Sequence, residues 1–229
     1  MDRIIDSLMA IETLFPIEAF ISALKKDYKK REAPIITRNA AKGYNPYCIL
    51  ISTLISLRTR DAVTAATSER LFEQAKTPAE MITLGQEKTA ELIYPASFYP
   101  TKSERIITIS RILVEKYNSQ VPDTLDQLLT LPGVGRKTAN LVLIEGFQKN
   151  AVCVDSHVHR ISNRIGFLET TTPEKTEMAL RETLPEKYWI IYAEMLVSFG
   201  QVICRPVSPF CIRCPVEGIC RKTGVVKKR

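Results

Sequence analysis

The stretch LPGVGRKTAN, from Leu131 to Asn140, breaks a helical region with one proline and two glycines. The segment LDQLLT before it and the segment RKTANLVLIEGF that begins within it carry apolar residues at helical spacing. Glycine adopts backbone conformations that other residues avoid, so the two glycines suit a tight turn. The stretch therefore predicts two short helices joined by a hairpin, with the second helix beginning at about Arg136.

The hairpin has the features of a phosphate-binding site. Gly133 and Gly135 place no side chain between the backbone and a ligand, and the amides at the start of the second helix point outward. The alternative is a tight turn in which the glycines serve geometry alone. The two cations Arg136 and Lys137, in a basic chain, favour the phosphates of DNA, which carry no sequence information.

Lys137 has two interpretations. The ordinary one is a solvated or phosphate-facing lysine. The other is a nucleophile, because burial, a neighbouring cation and a helix N-terminus all favour the neutral amine.

Asp155 ends a short apolar run in AVCVDSHVHRISNR, and helical spacing resumes after it. Capping of this helix by Asp155 or Ser156 is the simplest interpretation. The functional one is a rigidly held carboxylate that stabilises a developing cation or acts as a base. We expect His157, His159 and Cys153 to serve packing and hydrogen bonding.

Four cysteines near the end of the chain form the array C-x6-C-x2-C-x5-C. Closely grouped thiols in a reducing compartment indicate a metal centre, either a structural zinc ion or an iron-sulfur cluster. The array consists of Cys204, Cys211, Cys214 and Cys220. Cys48 and Cys153 lie far from it and are expected to be buried.

Composition and periodicity set the class of the protein. The 229 residues include 32 Lys and Arg against 25 Asp and Glu, which favours a polyanionic partner. Apolar residues recur at helical spacing almost throughout, which predicts an all-α fold of roughly ten helices. We expect CILISTLISL, from Cys48, to be a buried central helix, although its β-branched content would also suit a strand. We expect the tail RKTGVVKKR to be a disordered basic end, with contact to nucleic acid as the alternative. The absence of a signal peptide and of an apolar run long enough for a membrane span predicts a cytoplasmic protein.

In combination, LPGVGRKTAN, VDSHVHRISNR and the cysteine array closely resemble the endonuclease III family, bifunctional DNA glycosylases with AP-lyase activity. The likeness runs from about Asn45 to about Cys220. It implies a [4Fe-4S] cluster on the four cysteines, which decides between the two metal centres. It also implies action on double-stranded DNA containing damaged bases or abasic sites. We expect a monomer, and the absence of targeting signals favours a bacterial or archaeal protein of the cytoplasm, associated with the nucleoid.

The resemblance further implies two helical lobes. A six-helix barrel at residues 39–149 would carry the helix-hairpin-helix. Residues 1–38 and 150–229 would form a discontinuous domain that holds the cluster loop.

The resemblance assigns roles to the motif residues. Lys137 would attack the sugar C1′, expel an oxidised pyrimidine and form a Schiff base, and β-elimination would then cut the strand. Asp155 would stabilise positive charge on the sugar and handle protons. The DNA-binding hairpin would consist of Leu131, Gly133, Val134, Gly135 and Arg136, with added charge from Arg205 and Arg213 in the cluster loop.

One departure from the family pattern lies in SLRTRD, where Arg58 takes the place of a glutamine that fills the gap left by the flipped base. Phe98, in ASFYPTK, is the candidate for a second wedge, since an aromatic ring can stack against exposed bases. Two alternatives to the bifunctional enzyme are a monofunctional mismatch glycosylase and a noncatalytic, redox-sensing DNA-binding protein. Lys137 argues against the first, and the pair of Lys137 and Asp155 argues against the second.

Overall fold

The computed structural model describes residues 15–30 and 33–229, and every regular element in these two ranges is helical. The all-α prediction is therefore confirmed. The helices are α1 Ile17–Tyr28, α2 Ile35–Ala41, α3 Pro46–Ser56, α4 Asp61–Gln74, α5 Pro78–Leu84, α6 Gln86–Ile93, α7 Tyr99–Tyr117, α8 Leu125–Leu129, α9 Arg136–Phe147, α10 Ser156–Arg164, α11 Pro173–Thr183 and α12 Trp189–Val202. Short 3-10 helices occupy Glu186–Tyr188, Cys211–Arg213 and Glu217–Ile219.

The chain divides into two compact units. We call residues 34–151 the continuous unit, and residues 152–229 with the described residues before Pro34 the split unit. The expected boundary between residues 38 and 39 falls inside α2, which packs on α3 and α9 and so belongs wholly to the continuous unit. The expected segment 1–38 includes residues 1–14 and 31–32, which lie outside the described residues.

Helix α3 is the centre of the continuous unit. Asn45 caps it by accepting a hydrogen bond from the N–H of Cys48 at 2.8 Å, and Pro46 occupies its first turn, where a missing N–H costs nothing. All nine residues from Tyr47 to Ile55 are buried. The predicted buried central helix is therefore confirmed, and α9 packs directly against it.

The split unit has its own core. Helix α12 packs against α10 and α1, and the hydroxyls of Tyr192 and Ser162 are 2.8 Å apart within this buried contact. Phe20 and Phe199 are also fully buried there. Among the described helices, none has the length and apolar character needed to cross a membrane.

Candidate active site and cysteine site

The hairpin between α8 and α9 uses its two glycines differently. Gly133 has a φ of 77°, and a methyl group at its Cα would lie 3.0 Å from the Cδ atom of Arg105. Gly135 is the N-cap of α9 with a φ of −94°, and a methyl group there would meet nothing within 4 Å. Gly133 is thus required by the turn, whereas Gly135 leaves the start of α9 open to a ligand.

Two members of the predicted hairpin set support it from inside. The side chains of Leu131 and Val134 are buried, and the N–H of Val134 donates to the carbonyl of Leu131 at 3.1 Å. The two buried side chains therefore support the hairpin, and a DNA-binding role for these residues stays a prediction. The surface of the hairpin is formed by Gly133, Gly135 and Arg136.

Lys137, in the first turn of α9, is exposed and lines a cavity of about 510 Å³ in the continuous unit. Arg58 and Phe98 line the same cavity, so the structure brings together three predicted site residues. The remaining lining residues are Leu54, Ser56, Leu57, Thr101, Lys102 and Arg105. Four of the described lining residues are cations and none is acidic, so the cavity attracts anions.

Arg58 and Phe98 form a pair in the lining of this cavity. The guanidinium carbon of Arg58 lies 5.8 Å from the centre of the Phe98 ring, within the range of a cation–π contact. Both side chains are exposed, and both residues have left-handed backbone conformations that are rare outside glycine.

Lys102 and Arg105 are site residues that the sequence interpretation missed. Burial lowers the pKa of Lys102 to about 8, and its ammonium group donates three hydrogen bonds to groups in residues 55–59. The sequence did contain a sign that Lys102 is buried, because Lys102 shares one helical face with the buried residues Ile106, Ile109 and Leu113. A lysine on an apolar face needs internal acceptors.

Asp155 is the N-cap of α10 in the split unit. Its Oδ1 atom accepts hydrogen bonds from the N–H groups of His157 at 2.8 Å and Val158 at 2.9 Å. The capping interpretation is therefore confirmed, and the carboxylate is held rigidly at a helix start, as its proposed chemical role requires. His159 contacts the hydroxyl of Thr176 through Nδ1 at 2.7 Å, a hydrogen-bonding role of the expected kind.

The four cysteines of the array line one cavity in the split unit, surrounded mainly by apolar side chains. Burial, together with the charges of the other three cysteines, raises the pKa of Cys214 to about 12. The N–H of Lys222 donates to the sulfur of Cys220 at 3.3 Å, and Arg164 donates to the sulfur of Cys204 at 3.5 Å. Four sulfur donors around an apolar cavity, with N–H donors behind them, fit a metal-sulfur group. Within the described residues, no three His, Cys, Asp or Glu side chains converge closely enough to hold a metal ion, so this fit rests on the shared cavity and the sulfur donors alone.

The basic tail is ordered, contrary to the sequence prediction. The N–H of Arg229 donates to the carbonyl of Pro209 at 2.8 Å, and the carbonyl of Arg229 accepts from Ile212 at 3.1 Å. The guanidinium groups of Arg205, Arg213 and Arg229 lie 5.2, 4.1 and 5.2 Å from the centre of the Phe210 ring. The tail thus packs on the cysteine loop through backbone hydrogen bonds and arginine–aromatic contacts.

Comparisons with known proteins assign this architecture to a family. A family model described as HhH-GPD superfamily base excision DNA repair protein matches residues 51–186. Endonuclease III of Thermotoga maritima is 49% identical over 193 residues, which cover 82% of this chain and 91% of the relative. The chain belongs to the endonuclease III family. As a member of this family it is a DNA glycosylase of base excision repair, so the predicted enzyme class is confirmed.

Two solved structures of endonuclease III are similar to this member of the family. A non-covalent endonuclease III–DNA complex has a TM-score of 0.81 and 32% identity, covering 90% of this chain and 94% of that chain. A trapped covalent endonuclease III–DNA intermediate, in an estranged-adenine complex, has a TM-score of 0.74 and 34% identity, covering 81% and 92%. Both likenesses support DNA binding by the fold described above.

Proposed function

We propose that this glycosylase is bifunctional, removing oxidised pyrimidines from double-stranded DNA and then cutting the strand through a Schiff base on Lys137. The observation that carries the proposal is the position of Lys137, exposed at the start of α9 and lining a cavity walled by cations. A cavity of about 510 Å³ is large enough for a nucleoside.

The reaction follows from the chemistry of a primary amine. The neutral amine of Lys137 attacks the sugar C1′, and the damaged base leaves with the electrons of its bond to C1′. The nitrogen then loses a proton and the sugar ring opens, so that the electron pair of the C1′–O4′ bond passes to O4′, which takes up a proton. The iminium group formed at C1′ makes the C2′ proton acidic. Removal of that proton expels the 3′ phosphate, which is the β-elimination step.

Asp155 assists by stabilising the positive charge that develops on the sugar and by moving protons. Its Oδ1 atom accepts two amide hydrogen bonds at the start of α10, so the carboxylate has a fixed orientation. Capping and catalysis are compatible, because one carboxylate offers about four lone-pair sites.

DNA contacts are assigned to Gly133, Gly135 and Arg136 of the hairpin and to the arginines around Phe210. Glycine leaves room for a phosphate at the start of α9, and the helix N-terminus favours an anion there. In this proposal the protein acts as a monomer and binds DNA that contains damaged bases or abasic sites.

The four cysteines would hold a [4Fe-4S] cluster, which fits the sulfur donors around their common cavity. When bound, such a cluster ties the loop between Cys204 and Cys220 to the split unit and stabilises its fold.

Strand cleavage of a duplex containing thymine glycol tests the proposal. The parent protein is expected to cut 3′ to the lesion, and Lys137→Ala is expected to bind the duplex without cutting it. Lys149→Ala is the matched control, because Lys149 follows the same helix and forms an exposed ion pair with Asp123. Release of the base without cleavage by the parent would identify a monofunctional glycosylase instead.

A further inference from the structure

The ammonium group of Lys102 is buried at the wall of the active-site cavity, with the residue only 6% exposed. It donates to the carbonyls of Ile55 at 2.6 Å and Leu57 at 2.7 Å, and to the hydroxyl of Thr59 at 2.9 Å. An ammonium group has three donors, so these contacts use all of them. All donors of Lys102 are thus bound to acceptors within the protein, and Lys102 does not act as a second nucleophile.

The acceptors of Lys102 belong to the end of α3 and the turn that follows it. The last carbonyls of a helix lack partners within the helix, and a cation is favoured at this negative end. Lys102 therefore fixes the path of the chain through Arg58, which lies between two of its acceptors. The φ of 55° at Arg58 is costly for a residue other than glycine and persists only where its surroundings impose it.

A second link extends from Thr59 to the loop that carries Phe98. The hydroxyl oxygen of Thr59 accepts a hydrogen bond from the N–H of Ser97 at 3.1 Å, as well as the one from Lys102. Phe98 follows Ser97 directly and also has a left-handed backbone, with a φ of 58°. The chain of hydrogen bonds from Lys102 through Thr59 to Ser97 joins the two segments that present Arg58 and Phe98.

We propose that Lys102, acting through Thr59, is a positioning residue that holds Arg58 and Phe98 as one preassembled wedge for the gap left by an extruded base. This inference rests on the proposed function, since it presupposes a base extruded from the duplex. Fixing the pair before DNA binds avoids the entropy cost of ordering two exposed side chains during base extrusion. The benefit is largest for a base that is stacked in the duplex and smallest at an abasic site, where there is no base to extrude.

The matched variants are Thr59→Val, which removes the hydroxyl at nearly constant size, and Thr59→Ser, which keeps it. Two rates are measured for each variant under single-turnover conditions. One is release of thymine glycol from a duplex, and the other is borohydride trapping on a duplex with an abasic site. For Thr59→Val we expect the rate of base release to fall about tenfold, which corresponds to the loss of roughly one net hydrogen bond. We expect the trapping rate of the same variant to stay within about twofold of the parent. Thr59→Ser is expected to match the parent in both.

A combined variant shows whether Thr59 acts through the Arg58–Phe98 pair. If it does, adding Thr59→Val to the Arg58→Ala/Phe98→Ala double variant slows base release no further, whereas a multiplied loss would overturn the inference. Equal losses in base release and trapping by Thr59→Val would also overturn it.

Lys102→Met repeats the comparison should Thr59→Val not fold, with thermal unfolding as the check. Failure of the parent to be trapped on the abasic duplex would overturn the proposed function itself, which is a separate result.

Discussion

Arg58 and Phe98 lie on separate loops, yet the Arg58 guanidinium sits 5.8 Å from the Phe98 ring, and both residues have left-handed backbones. Neither conformation is favoured by its own residue type. The relationship is therefore imposed by the surrounding hydrogen bonds, and it presents a cation and an aromatic ring together in the lining of the cavity.

Replacing the Phe98 ring tests its role at the lesion. Phe98→Ala removes a surface on which a base can stack, so base release from a thymine glycol duplex is expected to fall about tenfold. Tyr94→Ala is the control, because Tyr94 is an aromatic residue with the same 59% exposure on the same segment. Similar rates of base release by the two variants in a single-turnover assay would show that Phe98 has no specific role at the lesion.

The two glycines of the hairpin predict separable defects. Gly133→Ala forces a left-handed alanine against Arg105, so it is expected to lower the free energy of unfolding by about 1 kcal/mol or more. Gly135→Ala meets no steric obstacle within the protein, so stability is retained while the affinity for duplex DNA falls. Urea denaturation and DNA titration together check both. Unchanged DNA affinity of Gly135→Ala would show that no phosphate approaches this residue.

The cysteine cavity predicts a coloured protein. We expect about four iron atoms per chain and broad visible absorbance, both lost in Cys214→Ser together with stability of the split unit. Cys48→Ser is the control, since Cys48 is buried in the continuous unit and is not a member of the array. A colourless parent with stoichiometric zinc would contradict the cluster.

Lys102 predicts a pH dependence of stability. Burial lowers its pKa from 10.5 to about 8, so between these values the unfolded chain binds more protons at this residue than the folded chain. The contribution of Lys102 to the free energy of unfolding therefore rises with pH over this range. Lys102→Met lacks this contribution. The stability of the parent relative to Lys102→Met, measured by urea denaturation, is expected to increase from pH 8 to pH 10.5. A decrease over the same range would show that the acceptors keep the ammonium charged.

Local patterns in the sequence predicted most of the helices, the hairpin and the cap at Asp155. Asp155 marks the start of α10, because capping depends on neighbouring residues. The cysteine spacing likewise predicted four sulfur ligands, and in the structure the four cysteines line one cavity. Such features require contacts over only a few residues, which explains why they are legible in the sequence.

Local patterns do not predict contacts between residues that lie far apart in the sequence. Lys102 binds groups 43 to 47 residues away, and Ser97 binds Thr59 across 38 residues. Turn chemistry also left open which of two glycines needs a positive φ, and only Gly133 does. The ordered tail depends on backbone hydrogen bonds between Arg229 and the cysteine loop, which a basic composition does not reveal.

The central claim is that Lys137 forms a covalent intermediate with the damaged nucleotide. Borohydride reduction during reaction with a thymine glycol duplex, followed by peptide mapping of the adduct, tests it most directly. We expect an adduct on Lys137 in the parent and in Lys149→Ala, and none in Lys137→Ala. An adduct on another lysine, or an equal yield from Lys137→Ala, would contradict the assignment.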